Sequence, residues 1–224
     1  MSGRLKMAVF DLDGTLVDSL GHIARAMATA FTAADLAPPP VTAVRAIIGL
    51  PLATAVTHLA PPLPSARIET IVAAYKDSYH AQVVAAAGVE PLYEGARAAL
   101  DALAAADCLL AVATGKGRRG LINVLEGHNL RDHFISLQSA DDAPGKPHPA
   151  MLLQALDTAG VAPEDAVMIG DTSFDMEMAR NAAVAAVAVT WGYHDRRRLA
   201  EHGPAATIDD FRQLYPTVES LILR

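Results

Sequence analysis

The sequence predicts an α/β protein: a Rossmann-like parallel sheet with helices on both faces, plus an inserted all-helical cap. Three observations carry this expectation. Short, nearly continuous apolar runs alternate with longer amphipathic stretches, the pattern of strands covered on both faces and joined by crossover helices. After the first run, roughly 75 residues pass without a convincing strand and are divided by proline clusters. With 52% hydrophobic and 19% charged residues, the chain is too apolar to stay disordered and long enough to bury a sizeable core.

The strands are expected at Met7–Phe10, Leu109–Ala113, Phe134–Leu137, Ala166–Ile169 and Ala185–Val189. Helical patterns cover Gly117–Gly127, Pro149–Ala159, Ser173–Ala182 and Arg196–His202. Alanine richness favours helix over Ala96–Ala106 and Ala179–Ala186, so the strand at Ala185–Val189 rests on its valines. Pro38-Pro39-Pro40 and Pro61-Pro62-Leu63-Pro64 separate several helices, because a proline inside a helix forfeits a backbone hydrogen bond; Pro91 closes the block. The expected division is a core of residues 1–16 and 92–224 with a helical cap at 17–91.

The 18 basic residues against 25 acidic ones leave a net charge of −7, which argues against nucleic acid as a partner. Aromatic residues, at 5%, are too few for base-stacking platforms. Cys108 is the one cysteine, so no internal disulfide or CxxC site can form; its apolar surroundings suggest a buried structural thiol. The longest apolar stretch, Ala182–Trp191, is about half the ~20 residues of a spanning helix, and the run before Asp11 is too short for a signal peptide. A cytoplasmic protein is expected.

Four strand ends carry candidate chemistry, and ligands of open α/β sheets bind beyond such ends. The first reads Phe10-Asp11-Leu12-Asp13-Gly14-Thr15-Leu16-Val17-Asp18-Ser19. Two carboxylates this close repel unless a cation or a shared proton separates them, so Asp11 and Asp13 are either a solvated turn or a metal-assisted acid–base and nucleophile pair. Thr114-Gly115 follows the second strand at a helix start, where a hydroxyl and backbone N–H groups cradle an anion or simply cap the helix. Lys146 stands in Gly145-Lys146-Pro147-His148-Pro149, where prolines stiffen the loop. Asp171 ends another strand, with Asp175 four residues on, either a site residue or a helix-start acid. Together these groups can bind a hard cation, hold a phosphoryl group and supply an oxygen nucleophile. The eight histidines show no zinc-ligand spacing, and neither a P-loop nor a nucleophile elbow is present.

These motifs, in this order, resemble the haloacid dehalogenase superfamily of phosphohydrolases over the whole chain. Asp11-Leu12-Asp13-Gly14-Thr15-Leu16-Val17-Asp18-Ser19 is the most specific part. The insertion resembles the helical cap of the phosphoglycolate phosphatase and β-phosphoglucomutase subgroup. The resemblance implies Asp11 as the nucleophile forming an aspartyl-phosphate, and Asp13 as the group that protonates the leaving oxygen and then activates water. It implies Thr114 and neighbouring amides, including Gly115, as phosphoryl ligands, with Lys146 offsetting charge. It implies Mg²⁺ on Asp11, Asp171 and the backbone carbonyl of Asp13, with Asp175 supporting the metal or orienting Lys146. Asp13 sets the chain apart from dehalogenases, and Lys76 reads as a solvated cap residue rather than a Schiff-base former.

Ile47-Ile48-Gly49-Leu50-Pro51-Leu52 resembles the family's specificity loop, with Gly49 and the upstream Arg45 as substrate-binding candidates. The loop is apolar, which favours a small monoester over a bisphosphorylated sugar. The expected activity is a Mg²⁺-dependent phosphatase of small phosphomonoesters of the phosphoglycolate type, acting as a monomer or homodimer. The alternatives are a β-phosphoglucomutase-like mutase and an inactive phosphate-binding regulatory protein. Hinges for cap movement are expected near Val17–Ser19 and Pro91–Glu94.

Overall fold

A computed structural model describes residues 4–85 and 90–223, the side chains of 84 and 85 excepted. Residues 1–3 and 224, at the ends of the expected core, and 86–89, in the expected cap, lie outside the described residues. Six parallel strands form one sheet in the order β3-β2-β1-β4-β5-β6. They are β1 (Lys6–Phe10), β2 (Cys108–Ala113), β3 (Ser136–Gln138), β4 (Ala166–Gly170), β5 (Ala185–Val189) and β6 (Ala206–Ile208).

Alternation along each strand divides the core into two layers. Ala8 and Phe10 of β1, Leu110 and Val112 of β2, and Val167 and Ile169 of β4 share one apolar cluster. That cluster takes in Leu100 of α5 (Ala96–Ala105), Leu121 of α6 (Arg118–Gly127) and Leu214 of α10 (Leu214–Val218). Met7 and Val9, Ala111 and Ala113, and Met168 point the other way. They pack on Leu152 of α7 (Ala150–Ala159), Met176 of α8 (Ser173–Asn181) and Leu199 of α9 (Arg196–Ala200). Strands buried on both faces lose the polar alternation of half-exposed ones, which is why these segments read as continuous apolar runs.

Between β1 and β2 lie α1 (Leu20–Ala33), α2 (Val41–Ile47), α3 (Leu52–Leu59) and α4 (Ser65–Ala85). They enclose an apolar cluster of their own, with Ile23, Met27, Phe31, Val44, Val56 and Ile71, joined by Tyr193 from beyond β5. The proline clusters fall between α1 and α2 and between α3 and α4. The chain enters and leaves this block side by side: Asp18 N–H donates to Pro91 O (2.9 Å) and Tyr93 N–H to Leu16 O (3.0 Å).

Several expectations need correction. The third strand begins at Ser136, because Arg131–His133 forms a 3₁₀ turn and Phe134 leaves it. The strand expected at Ala185–Val189, by contrast, is present as β5, where pairing with β4 outweighs the helical propensity of the alanines. β6 and α10 were not anticipated; β6 is three residues long and exists through its pairing with β5.

Candidate functional site

The segments that follow β1, β2, β3 and β4 bring the expected residues to one edge of the sheet. Asp11 continues the ladder, its N–H donating to Ile169 O at 2.9 Å. Beyond it the chain folds into a tight turn, with Leu16 N–H donating to Leu12 O (2.9 Å) and Gly14 N–H to Val17 O (2.8 Å). Gly14 takes φ +88°, and a Cβ there would stand 2.3 Å from Asp171 Oδ2. Glycine is therefore required twice over, by the left-handed backbone and by the approach of the acid.

Lys146 is fully buried and its Nζ lies between two carboxylates, 2.8 Å from Asp11 Oδ1 and 2.6 Å from Asp175 Oδ1. Asp175 is set by a capping box at the start of α8: Thr172 N–H and Oγ1–H both donate to Asp175 Oδ2, at 2.9 and 2.6 Å. One carboxylate thus caps a helix and turns its other oxygen to Lys146. Asp171 accepts from Thr15 Oγ1 (2.8 Å) and from Tyr193 N–H (2.8 Å).

Oxygens of Asp11, Asp171 and Asp175 all lie within 4.8 Å of one another, and all three residues are buried. Burial pushes the Asp11 carboxyl up to about 7, with Asp175 and Asp13 adding to the rise and Lys146 opposing it. Burial, then Asp11 and Asp175, holds Asp171 well above the usual carboxylate range. For Lys146 burial acts to lower the pKa but is outweighed by Asp11 and Asp175, so the ammonium is held charged. Counted as ionised, three carboxylates against one ammonium leave two negative charges unbalanced, the charge of one divalent ion. The all-oxygen donor set suits a hard cation. This group could hold a metal ion.

Asp13 stands apart. Its carboxylate is outside the three-acid group and its Oδ1 accepts from Lys116 Nζ at 2.9 Å. A metal-ligand role is left only to its backbone carbonyl, as the resemblance implies. Thr114 is buried, and its Oγ1 accepts from Lys116 N–H (3.2 Å) in the loop between β2 and α6. Asp11, Asp13, Thr114 and Gly115 line a cavity of about 720 Å³ closed on its other side by Ile23, Met27, Leu50, Val72, Tyr75 and Tyr79 of the helical block. Asp171, Asp175 and Lys146 lie outside this lining.

The loop Ile47–Leu52 also lines the cavity and rests on the core through two glycines. A Cβ on Gly115 would lie 2.9 Å from Gly49 O, and one on Gly145 would lie 2.3 Å from Pro51 Cγ. Gly49 itself has φ +100°. Arg45, expected as a substrate contact, stands outside the cavity lining. Its guanidinium donates to Tyr193 O (2.8 Å) and Gly192 O (2.7 Å). The cation nearest to the loop in the sequence instead ties α2 to the core. His194 makes a second tie: its Nδ1 accepts from Ser173 N–H (2.9 Å), so Nε2 carries the proton and donates to Ala46 O (3.2 Å). Lys76 lines the cavity from α4 but is exposed, as its sequence context suggested.

Sequence reasoning assigned no role to Lys116, Tyr79 or Glu90, yet they form a buried polar group beside Asp13. Lys116 Nζ donates to Tyr79 Oη (2.7 Å) and Glu90 Oε1 (3.1 Å) as well as to Asp13. The available signal was the position of Lys116, two residues beyond Thr114.

Comparison with known proteins identifies the family. The family model described as haloacid dehalogenase-like hydrolase matches residues 8–189. A Dickeya dadantii protein named "Probable phosphatase IndB" is 35% identical, over 96% of this chain and 94% of its own. A phosphoglycolate phosphatase of Pseudomonas savastanoi pv. phaseolicola is 34% identical, over 96% of this chain and 80% of its own. Among solved structures, a haloacid dehalogenase-like family hydrolase from Streptococcus pneumoniae superposes with a TM-score of 0.83 at 27% identity, over 95% of this chain and 98% of that one.

Proposed function

Because the chain belongs to the haloacid dehalogenase-like hydrolases, we propose that it is a Mg²⁺-dependent phosphatase of small phosphomonoesters, with a phosphoglycolate-type substrate first among them. The observation that carries the reading is the convergence of Asp11, Lys146 and Asp171 at one sheet edge, with Asp13 and Thr114 facing the adjoining cavity.

In this reading a carboxylate oxygen of Asp11 attacks phosphorus, and the bond from phosphorus to the ester oxygen breaks. The departing oxygen takes a proton from Asp13, leaving an aspartyl-phosphate on Asp11. Asp13 then removes a proton from water, whose oxygen attacks the same phosphorus, and inorganic phosphate departs with Asp11 restored. Thr114 Oγ1 and the amides of its loop hold phosphoryl oxygens. Lys146 keeps Asp11 oriented and offsets charge gathering near it. Asp11, Asp171 and the Asp13 carbonyl would hold Mg²⁺, which supplies positive charge to the phosphoryl oxygens, while Asp175 orients Lys146.

We assign residues 17–91 as the cap and 1–16 with 92–224 as the core, supported by the separate apolar cluster of α1–α4 and the paired crossings at Asp18–Pro91 and Leu16–Tyr93. The cap opens and closes about Val17–Ser19 and Pro91–Glu94, admitting water after transfer. The mutase reading loses ground because Arg45 is engaged with core carbonyls rather than available to a second phosphate. A single cysteine, which can form no internal disulfide, supports a cytoplasmic setting, with the chain acting as a monomer or homodimer.

Phosphate release from phosphoglycolate and a panel of small monoesters, measured with Mg²⁺, tests the proposal. Activity should vanish in EDTA and fall by at least about 10³-fold in Asp11→Asn, the scale on which losing a positioned reacting group is felt. Unchanged turnover in Asp11→Asn overturns the nucleophile. Absence of phosphate release from every ester, with phosphate still bound, returns the reading to a binding protein.

A further inference from the structure

An ammonium has three donors, and on Lys116 all three are used. They go to Asp13 Oδ1 in the loop after β1 (2.9 Å), Tyr79 Oη on α4 (2.7 Å) and Glu90 Oε1 where the helical block returns to the core (3.1 Å). The Lys116 side chain is almost wholly buried, and Nζ also stands 4.6 Å from the Tyr79 ring centre. Its stem crosses the first turn of α6 over Gly120, where a Cβ would meet Lys116 Cγ and Cε at 3.1 Å. A glycine early in that helix costs propensity, and the room it leaves for the lysine accounts for its presence. Glu90 is itself anchored, its carbonyl hydrogen-bonded to His128 Nε2 at 2.7 Å.

We propose that Lys116 is a positioning residue that couples the seating of the helical cap to the acid–base group. With the cap seated, Tyr79 and Glu90 hold the ammonium where it fixes one oxygen of Asp13, so that the other faces the leaving oxygen of the substrate. When α4 lifts, the ammonium loses Tyr79, one of its three partners, and its hold on Asp13 loosens. Proton donation is thereby favoured in the closed enzyme. The inference rests on the reading of Asp13 as proton donor given above.

The test is the dependence of kcat/KM on leaving-group acidity across substituted phenyl phosphates, with Mg²⁺ present. kcat/KM reports the steps through departure of the phenol, free of the later hydrolysis. A nitrophenolate leaves without help, whereas a phenolate of poor acidity needs the proton. In Lys116→Met the loss should be on the order of 10²-fold for unsubstituted phenyl phosphate and about threefold or less for p-nitrophenyl phosphate, which steepens the plot. Tyr79→Phe, which deletes one hydroxyl and keeps the ring, should steepen it in the same sense by a smaller amount.

Asp13→Asn is the reference. A steep plot there with wild-type slopes in Lys116→Met and Tyr79→Phe overturns the coupling and leaves the Asp13 reading standing. A wild-type slope in Asp13→Asn overturns the Asp13 reading itself. Should Lys116→Met fail to fold, Tyr79→Phe and the doubly neutralised Lys116→Met/Glu90→Gln decide between these outcomes. Equal loss across all leaving groups in those variants also overturns the coupling.

Discussion

Gly145→Ala asks whether the fit between Pro51 and the core governs turnover. A methyl group at Gly145 would lie 2.3 Å from Pro51 Cγ and 3.0 Å from Cδ, whereas carbon atoms rest at roughly 3.5 Å or more. The ring cannot rotate out of the way, because it is closed onto the backbone, so loop and methyl must part by about 1 Å. Overpacking of this kind costs about 1–3 kcal/mol. The strain exists only with the loop seated, so it shifts the seated population rather than the folding equilibrium, and kcat/KM should fall by about 5- to 150-fold. Thermal unfolding should change little. Pro51→Ala removes Cγ and Cδ and leaves Cβ, 3.4 Å from the added methyl, in ordinary contact. The double variant should therefore recover to within about threefold of Pro51→Ala alone, a coupling of about 1–3 kcal/mol between neighbours. Phosphate-release kinetics on the four proteins complete the cycle. Strictly additive losses, or an unaffected Gly145→Ala, would refute the argument.

Arg45→Met removes two hydrogen bonds to the carbonyls of Gly192 and Tyr193; water replaces them when α2 lifts, so their combined net worth to the seated state is taken as about 1.5 kcal/mol. kcat/KM should drop roughly tenfold by a common factor for every monoester assayed; a loss confined to substrates with a second anionic group would restore Arg45 to the substrate. Burial pushes the Cys108 thiol up to about 11 from an ordinary 9.0. Above pH 9 the unfolded chain releases this proton first, so the thiol's contribution to stability is intact below pH 9 and declines toward pH 11, by at most about 3 kcal/mol. Urea midpoints should accordingly fall more steeply with alkali in the parent than in Cys108→Ala, and parallel curves would contradict it. In native protein at pH 8, Cys108 should resist thiol reagents until urea exposes it.

What could be read from the sequence was local. Strands that are buried on both faces announce themselves in consecutive residues, and Asp11, Thr114, Lys146 and Asp171 each sit directly after or near such a run. Proline clusters marked the divisions among α1–α4 for an equally local reason. β6 escaped because Ala206-Thr207-Ile208 is too short for a period to show; its identity comes from β5 alongside. The group around Lys116 escaped for a different reason. Its partners lie 103, 37 and 26 positions away, and nothing in the local pattern of Tyr79 or Glu90 marks either as a partner for an ammonium. Arg45 illustrates the converse. Its proximity in sequence to the loop at Gly49 suggested a substrate contact, while the carbonyls it meets belong to a turn almost 150 residues later.

β1 is flanked by β2 and β4, near the middle of the sheet, and Met7 through Phe10 are wholly shielded from solvent. Each of its amides is hydrogen-bonded to one of these strands, and slow exchange with water is expected along it. Asp11 is thus mounted at the tip of a strand with no solvent-exposed residue between Met7 and Phe10. The oxygen proposed to attack phosphorus is carried by the central sheet, whereas the helices across the cavity belong to an apolar cluster of their own.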